Sequence, residues 1–411
     1  MSEAGPVPVS ESPFAPIPAA PPDPILGLTE AFRRDPNPHK VNLGVGVYLD
    51  AQGVVPTLHA VRAAEARLLE AAPGKGYLPI DGDPEYNRRV QALLLGENAP
   101  VIREGRAVTV QAPGGTGALR VGADFLHRFL PDTTVFLSAP SWENHAALFG
   151  THFRVQTYPY YDPRTHGLDF AGMMEAFVRM PRHSVVVLHA CCHNPTGVDL
   201  SAAQWVEVLR VCRERALVPF LDFAYQGFAE GIEADAFAVR LFAESGLPCL
   251  IANSFSKSFS LYGERVGALT LVAATADEAQ RALSQIKRVV RVNYSNPPAH
   301  GALVVSLILG DATLRQMWEA ELTGMRERIQ SLRRDFVQAL GAQGVSQDFG
   351  FILQQRGMFS YSGLSRETVL QLRQEGLYIV ESGRICIAAM NERNLPFIAE
   401  AIARHLRSVP C

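Results

Sequence analysis

The sequence predicts an α/β protein whose larger unit is a mostly parallel sheet covered by helices, with a smaller α/β unit completing the chain. Two observations carry this reading. From Pro100 onward, short and nearly continuous apolar runs alternate with stretches of helical periodicity, the pattern of strands buried on both faces. The 411 residues also exceed the roughly 250–300 at which a single core stops growing, so two domains are expected.

Taken in order, residues 1–24 carry eight prolines, which exclude helix and central strand and leave an extended arm. Residues 1 to about 12 read as a disordered tail, whereas Phe14, Ile17, Ile25 and Leu26 are apolar enough to dock. Strands are expected at Ala107–Gln111, Thr134–Ser138, Ser184–His189, Val218–Asp222, Cys249–Asn253 and Gly267–Ala273. Between them, a helix at Gly117–Phe129 runs on from a glycine-rich turn, and another at Ser201–Arg215 opens with Ser201 and Gln204 spaced as a capping box. Thr313–Leu340 reads as one long bent helix leaving the large unit. Gly350–Gly363, Leu377–Val380 and Arg384–Ala388 read as strands of the smaller unit, closed by a helix at Leu395–Ser408.

Composition narrows the function classes. With 47% hydrophobic and 19% charged residues, a net charge of −3 and no basic tract, the chain is an ordinary globular one with no electrostatic footprint for nucleic acid. Six cysteines show no C-x-x-C spacing, which disfavours a metal site or a disulfide framework and fits a reducing cytoplasm. The first 32 residues include Glu3, Glu11, Asp23 and Glu30 but neither Lys nor Arg, unlike a secretory signal or transit peptide. No apolar run approaches the roughly 18 residues of a membrane span. A cytoplasmic protein without membrane partners is expected.

In sheets of this kind ligands sit beyond the carboxyl ends of the strands, and the polar residues fall there. Gly114–Gly117 follows the first strand, Ser141–His145 the second, His189 and His193–Gly197 the third, Asp222 and Tyr225 the fourth, Ser254 and Lys257 the fifth. The stretch 250–267 is central. It delivers a single lysine, Lys257, from the end of a buried strand, and a desolvated lysine has a lowered pKa and attacks carbonyls. Arg265 offers a planar fork to a phosphate, Ser254 and Ser256 offer hydroxyls, and Gly115 and Thr116 at a helix start offer backbone N–H groups. An aldehyde and a phosphate in one molecule point to pyridoxal 5'-phosphate. Asp222 then suits the pyridine nitrogen, because a protonated ring is the electron sink of that chemistry. Tyr225 and Asn194 suit the ring oxygen and Trp142 the ring face. Singly, each has an ordinary alternative: a surface turn at Lys257, a helix N-cap at Asp222, a core Trp142, a plain strand-to-helix connection at 114–117. Ala139-Pro140 and Asn194-Pro195, at tight strand ends, are candidates for cis peptides.

Together, HNPTG at 193–197, FLDFAYQGF at 220–228, SFSKSFSLYGERVG at 254–267, VNYSNPPAHG at 292–301 and GRICIAAMNERN at 383–394 resemble the class I aspartate and aromatic amino-acid aminotransferases, of pyridoxal-phosphate fold type I. The five motifs stand in family order, and the resemblance runs from about Phe14 to the C-terminus. It implies that Lys257 forms the Schiff base, Asp222 pairs with the pyridine nitrogen, Tyr225 and Asn194 hold the ring oxygen, Trp142 stacks, and His145 and His189 stand behind Asp222. Ser254, Arg265, Gly115 and Thr116 match the phosphate cup, which the partner subunit's Tyr77 would complete. Arg384 matches the clamp on the substrate α-carboxylate, Arg291 the arginine that reaches across the dimer to a side-chain carboxylate, and Gly46 a point where substrate approaches backbone. Arg384 and Tyr77 come from the resemblance alone. It further implies a homodimer with shared active sites and the proline-rich arm laid across the partner. The domains expected are 56–324 for the large unit and 25–55 with 325–411 for the small one.

The activity so implied is ping-pong transamination between an L-amino acid and 2-oxoglutarate. Another pyridoxal-phosphate reaction, such as decarboxylation or β-elimination, and a non-catalytic homologue are the rivals; an Arg384 holding the carboxylate in the ring plane opposes decarboxylation. On substrate range the residues divide. SWENH and CCHNPTG resemble the bacterial aromatic branch, with Leu49 and Val55 apolar, while Val47, Thr116 and Asn296 resemble the aspartate branch. Both substrate classes are expected, the aromatic slightly favoured, with Arg291 swinging aside for a ring.

Overall fold

The computed structural model describes residues 12–20 and 25–407. Its central sheet has seven strands: β1 (Ala107–Pro113), β2 (Thr134–Ala139), β3 (Arg154–Pro159), β4 (Val185–His189), β5 (Val218–Phe223), β6 (Cys249–Ser254) and β7 (Val266–Val272). They lie in the order β1-β7-β6-β5-β4-β2-β3, parallel except for β7, which runs antiparallel to β1 and β6. Side chains alternate between two apolar layers: Val186, Leu188, Leu221 and Ile251 join one cluster, Val185, Val187, Phe220 and Leu250 the other. This double burial is why the strands read as continuous apolar runs. Strand β3 was not expected. It is the sheet edge, and of its six residues only Tyr158 is buried, so its sequence carries no apolar run.

Helix α1 (Gly114–Phe129) begins three residues earlier than expected, so the glycine-rich turn is its first turn. Gly114 makes this possible with φ +75°, a conformation that side chains other than glycine's rarely tolerate. In α2 (Ala202–Glu214) the capping box forms in both directions: Gln204 N–H donates to Ser201 Oγ at 3.3 Å and Ser201 N–H to Gln204 Oε1 at 2.8 Å. Later come α3 (Ala276–Asn293) and the 31-residue α4 (Ala312–Ala342).

Beyond α4 the sequence expectation needs correction. Gly350–Gln354 is a 3-10 helix, because Ile352 N–H bonds Phe349 O and Gln355 N–H bonds Ile352 O. Only Phe359–Tyr361 of that stretch is strand, antiparallel to Arg384–Cys386, after which Ile387–Ala389 turns into a second 3-10 helix. Leu377–Tyr378 pairs in parallel with Val41–Asn42, so the chain's beginning and end share one small sheet. A final helix, α5, spans Leu395–Arg407, and Ser408 lies outside the described residues. Residues 12–20 form no helix or strand, with Phe14 and Ile17 exposed; the tail expected over residues 1–12 falls, but for Ser12, outside the description. Both Ala139-Pro140 and Asn194-Pro195 are cis. Among the described residues, no helix is long and apolar enough to cross a membrane.

Candidate active site

A cavity of about 490 Å³ opens beyond the carboxyl ends of β1, β2, β4, β5 and β6. The reversed strand β7 completes it. The chain leaves β6 at the cavity, loops through 255–265 and enters β7 at that same end, so Ser254, Ser256, Lys257 and Arg265 all face one space. Three glycines let the strand ends converge. A Cβ on Gly114 would lie 2.5 Å from Arg265 Nη2, one on Gly115 3.1 Å from Ser254 Cβ, and one on Gly267 2.6 Å from the Gly114 carbonyl carbon. Ser254 O–H donates to Ser256 Oγ at 3.1 Å, and Arg265 donates to Tyr262 O at 2.9 Å. Among the described residues, Arg265 has no acidic partner, so this corner joins a guanidinium without a counter-charge to a helix N-terminus.

Across the cavity, Asp222 is anchored from behind. His145, fully buried, holds Asp222 Oδ2 at 2.8 Å through Nε2. Ser141 Oγ lies 2.9 Å from His145 Nδ1 and 3.2 Å from His189 Nε2, and Asn194 N–H donates to His189 Nδ1 at 3.0 Å. That last bond fixes the His189 tautomer. With His189 Nδ1 accepting, its proton is on Nε2 and donates to Ser141, while His145 Nε2–H donates to Asp222. The two rings, joined through Ser141, thus back the carboxylate with a donor. Burial holds His189 down to about 3, in keeping with a neutral ring. Burial alone would raise Asp222, but the bond and charge of His145, with His189 and Lys257, outweigh it and leave the carboxyl below its ordinary range.

Lys257 reaches over the Tyr225 ring, its Nζ 4.9 Å from the centroid, and that amine makes no hydrogen bond or ion pair among the described residues. Burial lowers its pKa to about 8; Asp222 opposes this and Arg265 adds to it. Tyr225 Oη is 3.5 Å from Asn194 Nδ2, and burial raises its phenol well above the ordinary value. Trp142 lines the cavity and meets His145 edge-on at 5.2 Å. At the far wall Arg384 is 1% exposed, donates to Asn194 Oδ1 at 3.2 Å and Gly44 O at 2.8 Å, and leaves Nε without a partner. Gly46 and Val47 line the same wall, and a Cβ at Gly46 would meet nothing within 4 Å.

The cavity therefore gathers Gly46, Gly115, Thr116, Trp142, Asn194, Asp222, Tyr225, Ser254, Lys257, Arg265 and Arg384, with His189 at its edge and His145 behind. Tyr77 and Arg291 are not among its lining within one chain: Tyr77 is 95% exposed, and Arg291 points outward to Ser295 Oγ. Leu49, Val55 and Asn296 also stand apart from it. Three neighbours had been given no role. Ser141 joins the two histidines, Tyr262 Oη accepts from Tyr48 N–H at 2.8 Å, and the Phe359 ring lies 4.4 Å from the Arg384 guanidinium. Spacing hinted at none of these: Ser141 reaches His189 48 residues on, Tyr262 bonds Tyr48 across 214 residues, and Phe359 and Arg384 lie on separate strands.

This donor set fits pyridoxal phosphate at each of its polar groups. The acid-free corner at Arg265 suits the phosphate, Asp222 a protonated ring nitrogen, Tyr225 and Asn194 the ring oxygen, and Lys257 the aldehyde. Arg384, with an unpaired Nε and no acid, leaves a separate place for a substrate carboxylate. A fold and a cavity of this kind define a lysine-dependent enzyme of amino-group chemistry. The chain belongs to the aminotransferases of class I and II, whose family model matches residues 38–402. It is 56% identical to an aspartate aminotransferase of Pseudomonas aeruginosa over 96% of this chain and 99% of that one. It is 48% identical to the aromatic-amino-acid aminotransferase of Escherichia coli over 93% of this chain and 97% of that one. Its fold matches an aromatic-amino-acid aminotransferase from Burkholderia pseudomallei, crystallised covalently bound to pyridoxal phosphate, with a TM-score of 0.94 at 56% identity, covering 96% of this chain and all of the other.

Proposed function

We propose that the protein transfers amino groups between L-amino acids and 2-oxoglutarate with pyridoxal phosphate, accepting aromatic and dicarboxylic donors. The observation that carries this is the meeting of Lys257, Asp222 and Arg384 in one cavity, each with a different chemical task. Bound pyridoxal phosphate supplies an aldehyde that condenses with amines and a ring that takes up the charge left when a Cα proton departs. Arg384 binds the substrate α-carboxylate and, with Asn194, fixes the orientation of Cα. Lys257 Nζ, in its neutral form, takes the Cα proton. Asp222 stays anionic because His145 donates to it, and so holds a proton on the ring nitrogen. Trp142 covers one face and excludes water.

The enzyme is read as a cytoplasmic homodimer in which the partner subunit's Tyr77 and the partner subunit's Arg291 complete each site. The outward position of both residues supports the shared site, and the five cysteines among the described residues, all free and buried, support the cytoplasm. Its large unit is taken as 56–324 and its small unit as 25–55 with 325–411, consistent with the shared sheet of Val41–Asn42 and Leu377–Tyr378. An aspartate-only enzyme is the second reading, favoured by Val47 and Thr116 on the cavity wall while Leu49 and Val55 stand off it. The test is kcat/KM for phenylalanine, tyrosine and aspartate, in wild type and in Arg291→Leu. We expect all three to react, and Arg291→Leu to lose aspartate while keeping phenylalanine. A wild-type preference for aspartate of about 10⁴ or more, the penalty for an unpaired buried group, establishes the aspartate-only reading.

A further inference from the structure

One buried arginine is left without a task in this chemistry. Arg333, on α4, is 3% exposed and pairs with no acidic side chain among the described residues. A buried guanidinium without a counter-charge is costly unless its hydrogen bonds are well placed. All of those at Arg333 go to one short segment: Nη2 donates to Gly357 O at 2.6 Å and Phe359 O at 2.9 Å, and Nε to Ser360 Oγ at 3.3 Å. Burial holds its pKa down to about 10, so the fork is still charged at neutral pH.

The segment it grips backs the carboxylate site. Phe359 presents its ring to the Arg384 guanidinium at 4.4 Å and meets Tyr225 edge-on at 6.0 Å. Its strand pairs with that of Arg384, Tyr361 opposite Arg384. From the other side the loop carrying Asn194 holds the same segment: Arg356 N–H donates to Gly197 O at 2.7 Å, and a Cβ on Gly357, at φ +78°, would lie 2.4 Å from Cys192 Cβ. The segment is thus held between α4 and the Asn194 loop, with Arg384 leaning on it.

We propose that Arg333 is a positioning residue for substrate carboxylates: it fixes the 357–360 segment so that Phe359 holds Arg384 in its binding orientation. This rests on the reading of Arg384 as the carboxylate clamp. A lysine at 333 keeps the charge but, with one nitrogen, cannot hold the two carbonyls from Nη2 and the Ser360 hydroxyl from Nε at once.

The test measures KM for 2-oxoglutarate, the inhibition constant of succinate as an unreactive dicarboxylate, and kcat, on holoenzyme carrying Arg333→Lys, Phe359→Leu, both together, or Arg384→Lys. We expect Arg333→Lys to raise KM and the succinate constant by roughly tenfold, the equivalent of a displaced cation–π contact, with kcat within about twofold and an unchanged cofactor spectrum. The double variant should be no worse than its weaker-binding parent, because both changes act through one ring. Effects that multiply, or an Arg333→Lys variant that lowers only the melting temperature, overturn the proposal. If Arg384→Lys also leaves KM unchanged, the clamp reading has failed with it; if Arg384→Lys raises KM and Arg333→Lys does not, the positioning role alone has failed. Should Arg333→Lys not fold, Ser360→Ala removes one contact and keeps the arginine: a rise of about threefold in KM supports the role and none overturns it.

Discussion

A neutral amine at Lys257 is available near pH 8, because burial disfavours its charged form more than Asp222 favours it. The sign is that of a base with a lowered pKa: the reactive form is scarce below about 8 and predominant above it. The rate at which cofactor-free protein captures pyridoxal phosphate should therefore rise with pH and level off just above 8; a rate still climbing toward 10.5 would contradict the buried setting. Replacement by Lys257→Ala should leave a folded protein that binds cofactor but has lost transamination by at least the roughly 10²–10⁴ of a general base. Asp222→Ala should lower kcat by roughly 10²–10³ while cofactor affinity changes much less, since the carboxylate acts on developing charge. Affinity loss with an intact kcat would refute that role. At this scale Lys257 and Asp222 were legible because a charged residue ending an apolar strand is a local anomaly. Ser141 and Phe359 were not, because a serine or a phenylalanine is anomalous nowhere and acquires meaning only from a neighbour brought in by the fold.

Among the elements, the strands buried on both faces announced themselves, while edge strand β3 did not, having one buried residue in six. The small unit was misread in part for a related reason. Its strands run two or three residues and give way to 3-10 turns held by local bonds, too short for a period of two to register. The start of α1 carries an element-scale prediction. Gly114→Ala places a methyl within 2.5 Å of Arg265 Nη2 on a backbone at φ +75°. Cofactor affinity should fall at least about tenfold, through a displaced Arg265 and a strained helix start, while the fold survives. Equilibrium dialysis of pyridoxal phosphate checks it, and unchanged binding would mean that the cup is not the phosphate site.

For the whole molecule, the two residues that miss the cavity of their own chain make the assembly testable. On the proposed shared-site dimer, Lys257→Ala would disable a subunit's own site, whereas Arg291→Leu would disable the aspartate site of its neighbour. Mixed and reassociated in equal amounts, the two variants should recover about a quarter of wild-type aspartate activity, since half the dimers are hybrids and each hybrid holds one intact site. No recovery, with hybrids demonstrably formed, would mean that sites are not shared. Cofactor removal should also lower the melting temperature, because a ligand at about 100 times its Kd stabilises the native state by roughly 2.7 kcal/mol.

The reversal of β7 has a consequence for motion. Flanked by β1 on one side and β6 on the other, it anchors both ends of the loop 255–265 in the sheet interior. Amide deuterium exchange in β6 and β7 then requires opening of the sheet itself, whether or not cofactor is present, whereas exchange in the loop and at Gly114–Thr116 is governed by occupancy. The cofactor thus arrives at a receptacle whose walls are as slow to open as the protein is to unfold, and only its lip is quick.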